Sequence, residues 1–314
     1  MSYTGPGFEP PQPRRSRRGP LTVALAALVP GALLGWAVYA AVGGSGDGEA
    51  AGTPTASATA SPRTSAAAPS GSAGDGKPTA SSTAKPPAAA GTLEGKVVVI
   101  DPGHNPTNFE HTAEINRQVD IGTNRKECDT TGTSTNDGYA EAEFTLDVAH
   151  RMRALLEKRG ATVKLTQDED RPFGPCVDER ARIGNKAGAD AVVSIHADGS
   201  GTGNRGFHVI LPGAVDAGGA DTRAIVEPSA DLGARIAGDF VRVTGSAPSN
   251  YIGGGTGLVT RKDLGGLNLS TVPKVFIECG NMRDSKDAAL LTSGAWRQKA
   301  AQGISDGIVS FLRG

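Results

Sequence analysis

The chain predicts an α/β fold, a three-layer sandwich with a mainly parallel sheet flanked by helices. Two observations carry this. Short β-branched apolar runs (Val97–Ile100, Ala191–Ile195 and Val275–Ile277) lack the alternation of half-exposed strands and read as strands buried on both faces. Between them lie stretches with apolar residues at helical spacing, and alternation of the two element types favours a parallel sheet covered on both sides.

Taken in order, Val97–Ile100 is the first strand, and Asp101-Pro102-Gly103 ends it abruptly. Phe144, Val148, Met152, Leu155 and Leu156 line one helical face, which Gly160 terminates. Thr162–Leu165 follows as a strand, Asp178 to Lys186 as a helix, and Ala191–Ile195 as a strand running into His196. Phe207–Leu211 reads as another strand. Ser229 is placed to cap a helix carrying Leu232, Ile236, Phe240 and Val243. Val275–Ile277 runs straight into Glu278, and Trp296, Ala300, Ile304, Ile308 and Phe311 mark a last amphipathic helix. Phe109 to Thr135 lacks apolar periodicity and reads as a long loop beside a site. Pro212 to Pro228 is too rich in Gly and Ala to predict a regulatory helix.

The first 92 residues differ in kind. Residues 1–20 form a basic tail containing Arg14, Arg15, Arg17 and Arg18. Leu21 to Val42 is uncharged and close to the roughly 20 residues that span a bilayer. Arginines before such a run favour a cytoplasmic N-terminus. A retained anchor is the expectation; a cleaved signal peptide is the rival, and Ser16-Arg17-Arg18 weakly resembles a twin-arginine export signal. Either puts the remainder outside the cytoplasm, in the cell envelope. Residues 43–92 form a disordered Ala/Ser/Thr/Pro/Gly linker with a reach of roughly 40 Å as a flexible coil. Residues 93–314 form the globular domain. A net charge of -1 gives no field for nucleic acid, and the protein is expected to be a monomer.

Three groups fall at equivalent places. His104, His196 and Glu278 each follow an apolar strand, and parallel strands would bring them to one sheet edge, where functional groups of α/β proteins gather. Glu141, ahead of the first amphipathic helix, is a fourth candidate. Two histidines and a carboxylate suit an open zinc site, leaving a second carboxylate to act as general base.

The run Val-Val-Ile-Asp-Pro-Gly-His at 98–104 resembles the opening motif of the zinc-dependent N-acetylmuramoyl-L-alanine amidases of the Amidase_3 type. Glu141 with Phe144-Thr145-Leu146, Asp178-Glu179-Arg180 with Asn185, Val193 to Asp198 and Phe276 to Met282 extend the resemblance in family order. It covers the chain from about Lys96 onward and is closest to the short actinobacterial form. The resemblance implies that His104, Glu141 and His196 bind one Zn2+ and that Glu278 is catalytic. It further implies that the substrate is peptidoglycan, cut between the lactyl group of N-acetylmuramic acid and L-alanine. A zinc peptidase acting within the stem peptide and a non-catalytic wall-binding or regulatory protein are the alternatives. The family spacing selects Glu141 over Glu143. The chain departs from the pattern at Asp198, where Asn is common, and at Cys279, which strand alternation turns away from Glu278 as a packing residue.

The remaining candidates are less defined. Asp101 either orients a ligand or caps its turn. Arg180 either binds a peptide carboxylate or holds its helix through an ion pair. His208 is expected to pack on the sheet rather than to face substrate, and His111 and His150 to lie in a loop and on a helix surface. Outside the cytoplasm, Cys128 and Cys176 are expected to form a disulfide worth roughly 4 kcal/mol.

Overall fold

The protein is described from a computed structural model covering residues 92–314. The basic tail, the Leu21–Val42 segment and nearly all of the linker lie outside these residues. No helix among the described residues is long and apolar enough to cross a membrane.

The chain runs through β1 (Val97–Pro102), the one-turn α1 (Thr112–Ile115), the hairpin β2 (Gln118–Asp120) and β3 (Arg125–Glu127), and α2 (Glu141–Glu157). It continues through β4 (Thr162–Leu165), α3 (Val177–Ala187), β5 (Ala191–Asp198) and β6 (His208–Pro212). A small hairpin, β7 (Asp216–Ala217) and β8 (Ala220–Asp221), precedes α4 (Val226–Thr244). Then come β9 (Leu258–Arg261), the short α5 (Gly265–Asn268), β10 (Lys274–Asn281), α6 (Ser285–Leu291) and α7 (Gly294–Arg313).

Six strands form one sheet in the order β4-β1-β5-β10-β6-β9. The four from β4 to β10 are mutually parallel; β6 is antiparallel to β10 and parallel to β9. The expected mixed α/β fold with a mainly parallel sheet is therefore present. One face carries Val98, Ile100, Val193, Ile195, Val275, Ile277 and Val209, packed on Phe144 and Met152 of α2, Leu232, Ile236 and Phe240 of α4, and Ile304 and Ile308 of α7. These helices bury their apolar stripes there, as their spacing requires. On the opposite face Val99 and Val192 pack against Ile183 and Ala187 of α3.

Two expectations need correction. Ser229 does not cap α4: the helix begins at Val226, and Ser229 is buried in its first turn with Oγ accepting from the Lys274 amide. Pro228 lies in that first turn, where its missing N–H would have had no intrahelical partner, so it does not delay the helix. The Phe109–Thr135 stretch is not one long loop but holds a 3-10 turn, α1 and the β2–β3 hairpin.

Candidate metal centre

The register of the sheet assembles the site. Glu278 on β10 lies directly beside His196 on β5 and His208 on β6. Paired residues share a face, so all three project to the side away from the apolar core. His104, just past β1, and Glu141, the first residue of α2, approach this row from outside the sheet.

Three donor atoms converge. His104 Nε2 is 3.3 Å from Glu141 Oε1, and His196 Nδ1 is 2.9 Å from the same oxygen. One ligand atom from each of the three residues can be chosen so that all lie within 4.8 Å of one another. Tetrahedral zinc with bonds of about 2.0–2.1 Å places its ligands roughly 3.3 Å apart. The two imidazoles meet edge to face at 89°, so they offer separate approach directions. Burial opposes a charge on Glu141, yet His104 and His196 hold its carboxyl far below the ordinary range. Burial likewise opposes charge on His104, and Glu141 and Asp129 override it. A divalent cation there would supply positive charge beside the buried Glu141 carboxylate.

The surroundings hold these groups rigidly. Glu141 Oε2 accepts from the Thr133 amide at 2.9 Å, and Oε1 accepts from the Ala197 amide at 3.2 Å. His104 Nδ1 lies 3.0 Å from the Thr130 carbonyl and 3.4 Å from Asp129 Oδ1. Such a carbonyl partner fixes the ring's tautomer, leaving Nε2 for a metal. The His196 ring stacks on Phe276, with centroids 5.3 Å apart. Two glycines are required by close approach. A Cβ on Gly103 would lie 2.3 Å from the His196 ring, and one on Gly132 would lie 2.9 Å from Glu141 Oε2.

His104 itself has φ of 63°, a conformation uncommon outside glycine. Arg180 clamps it. Its Nη2 donates to the His104 carbonyl at 2.9 Å and to Asp129 Oδ2 at 3.0 Å. Its Nη1 donates to Asp101 Oδ1 and the Pro102 carbonyl, and its Nε to the Pro175 carbonyl. All five guanidinium N–H groups are thereby engaged. This excludes the peptide-carboxylate role and retains the ion-pair role. Asp101 neither touches a ligand nor caps a turn. It is fully buried and accepts from Thr166, Ser194, Arg180 and Lys274, so its carboxyl stays ionised although burial opposes this.

Glu278 is half-buried, and its Oε2 is sealed from solvent without a hydrogen-bond partner. Burial, with the charges of Glu141 and Asp198, raises its carboxyl well above the ordinary range. It lines a cleft of about 320 Å3 together with His104, Glu141, His196, Asp198 and Arg261. An adjoining slot of about 250 Å3, lined by Phe276, Leu264 and Val177, shares His104 and His196 with it. A larger hollow of about 520 Å3 around Cys279 and Trp296 contains none of the four predicted residues.

The other expectations sort clearly. Glu143 does not join the cluster. His208 is buried, its Nδ1 has no partner, and burial lowers its pKa. Cys279 is a free, buried thiol pushed up by burial, as a packing residue should be. His150 meets Asp168 on the α2 surface, and His111 lies against Phe173. Cys128 and Cys176 form the expected disulfide, closing 48 residues.

Residues 98–310 match the Amidase_3 family model, described as N-acetylmuramoyl-L-alanine amidase. The chain belongs to the Amidase_3 family. It is accordingly an enzyme of this hydrolytic family. It is 42% identical over 225 residues to N-acetylmuramoyl-L-alanine amidase Rv3717 of Mycobacterium tuberculosis, covering 70% of this chain and 88% of that protein. Among solved structures it is similar to the amidase Ami1 of Mycobacterium smegmatis, with a TM-score of 0.65 and 40% identity over 71% of this chain and 99% of that one. The apo form of Ami1 from Mycobacterium abscessus is comparably similar, with a TM-score of 0.64, 40% identity, and coverage of 70% and 100%.

Sequence reasoning missed two participants in this amidase. Asp129 braces His104, and the only local signal is its position next to Cys128. Tyr251 donates its hydroxyl to Asp198 Oδ2 at 2.6 Å. It comes from a loop between elements with no apolar pattern, and nothing local marks it.

Proposed function

We propose that this protein hydrolyses the amide between the lactyl group of N-acetylmuramic acid and L-alanine in peptidoglycan. Its metal ligands would be His104, Glu141 and His196, and its general base Glu278. The observation carrying the reading is the convergence of two imidazole nitrogens on one Glu141 oxygen, in a cleft that also holds Glu278. An oxygen and two nitrogens at these separations, with a fourth side facing the cleft, fit an open zinc site. Bound there, one zinc ion would supply a Lewis acid that acidifies water and polarises the amide carbonyl.

The chain's own groups account for the remaining work. Glu278 takes the proton of the attacking water and delivers it to the departing nitrogen. Burial raises its carboxyl above the ordinary range, which favours holding the proton until it is returned. Glu141 is fixed by two backbone amides, His104 by the Thr130 carbonyl and His196 by its stack on Phe276, so the site needs little rearrangement before reaction. The similarity to cell-wall amidases, together with the N-terminal pattern, supports action in the cell envelope, with the domain tethered to the membrane or released from it.

The test is digestion of purified peptidoglycan with and without chelator, read by mass spectrometry. Release of stem peptides with a free N-terminal L-alanine, abolished by chelation and restored by zinc, is expected. Cuts confined to the interior of the stem peptide would instead identify a peptidase, and no cut at all a binding protein. Glu278→Gln is expected to retain zinc and to lose at least about 100-fold in turnover. Wild-type turnover in that variant would refute the base assignment.

A further inference from the structure

Asp198 lies close to the proposed metal ligands, and the structure shows what its carboxyl meets. It stands two residues beyond His196 on β5, so it shares that ligand's face of the sheet. Its backbone is pinned: Asp198 pairs with Asn281 of β10, and its carbonyl accepts from the Met282 amide at 2.8 Å. One carboxylate oxygen, Oδ2, accepts from the Tyr251 hydroxyl at 2.6 Å. That is the only hydrogen bond made by this side chain among the described residues. Asp198 lines the same cleft as Glu278, where the Arg261 guanidinium acts on it through space but does not hydrogen-bond it. Arg261, the cleft's guanidinium, is tied at both ends to Asp263, at 2.8 and 2.6 Å.

A fixed carboxylate with one oxygen free, beside the proton-delivering group, calls for a cationic partner. The reaction makes one. Water adds to the acyl carbon, the C–N bond breaks, and the proton taken up by Glu278 passes to the nitrogen. The products are a carboxylic acid and an amine; the acid gives up its proton to solvent. The free α-amine, with an ordinary pKa of about 7.7–8.0, takes a proton and becomes an ammonium near neutral pH. The substrate nitrogen carries no such charge, so a carboxylate here distinguishes product from substrate.

We propose that Asp198, held by Tyr251, binds the α-ammonium of the released peptide and so makes this enzyme sensitive to inhibition by that product. The inference rests on the amide cleavage proposed above. Tyr251 acts as a positioning residue: its hydroxyl occupies Oδ2 and leaves Oδ1 without a hydrogen bond.

The test uses the zinc-loaded protein and two synthetic probes: a stem peptide with N-terminal L-alanine, and its desamino analogue bearing propionyl in place of L-alanyl. Affinities are read by calorimetry at pH 7, independently of turnover. The wild type is expected to favour the ammonium peptide by at least 10-fold. Asp198→Asn, with unchanged zinc content, is expected to reduce the preference to within about 2-fold, and Tyr251→Phe to an intermediate value. Equal binding of the two probes by the wild type, or an undiminished preference in Asp198→Asn, overturns the proposal. Failure of the parent reading shows separately, as absence of free N-terminal L-alanine in the peptidoglycan digest.

Discussion

The Cys128–Cys176 bridge closes a loop of 48 residues that contains α2 and β4, and it joins two of the segments that frame the site. Cys128 precedes Asp129, which braces His104, and Cys176 sits at the N-terminus of α3, one turn before Arg180. In the chain-entropy treatment, a loop of 48 residues removes about 14 cal/mol/K from the unfolded ensemble, or about 4 kcal/mol at 25 °C. For a domain of this size each kcal/mol moves Tm by about 2–4 °C, so removing the bridge should lower Tm by roughly 8–16 °C. The double variant Cys128→Ser, Cys176→Ser avoids a stray thiol, and differential scanning calorimetry reads the shift. Folding should survive, because the Val177 amide still donates to the Cys128 carbonyl at 2.7 Å and the Cys128 amide to the Arg117 carbonyl at 2.7 Å. A fall of less than about 3 °C would refute the reasoning, since it would mean that the open loop gains little freedom when the protein unfolds.

Two further outcomes are expected. Arg180→Lys keeps the charge but cannot reproduce five donors in a fixed fork, so Asp129 and the His104 carbonyl lose partners; unfolding in urea should show a loss of about 3 kcal/mol, and chelator competition a zinc affinity weaker by 10-fold or more. Burial works against the Asp129 charge, but Arg180 and His104 hold its carboxyl down at about 2, below its ordinary 3.8. Because the folded value is lowered, the stabilisation is present above the unfolded value and is lost as pH falls through the folded one. Unfolding of the metal-free protein should therefore show about 2 kcal/mol disappearing between pH 4 and pH 2, and Asp129→Asn should flatten that limb.

The elements readable from the sequence are those whose signal is local. Thr162–Leu165 coincides with β4 at both ends, and the helix read from Phe144 to Leu156 falls within α2. β1 and β10 run further than their apolar cores, to Pro102 and Asn281, because their polar C-terminal residues still pair with β5. The four-residue β9 escaped notice, since Leu258–Arg261 has apolar residues only at its first two positions and follows a glycine-rich turn. His104, Glu141, His196 and Glu278 were legible because three stand at strand ends and family spacing marks the fourth. Asp101 was not legible. Its partners Arg180 and Lys274 lie 79 and 173 residues away, and no local pattern records a pairing made only by the folded chain.

Those distant pairings explain why one sheet face carries so much charge. Asp101 and Lys274 are buried at 0% exposure and Arg180 at 5%, where each ion alone would cost several kcal/mol. Two acids, Asp101 and Asp129, face two bases, Arg180 and Lys274, so opposite charges are paired one to one. Apolar residues of equal volume could fill the same space at equal or lower free energy, so stability alone does not account for the cluster. What an apolar filling could not do is hold His104 at a positive φ, with its carbonyl tied to Arg180 and its ring braced by Asp129. A histidine in that backbone conformation would otherwise relax toward the ordinary regions, carrying Nε2 away from Glu141. The buried charges beside the site are thus the support for its geometry, which is why a conservative change at Arg180 should be felt in metal affinity as well as in stability.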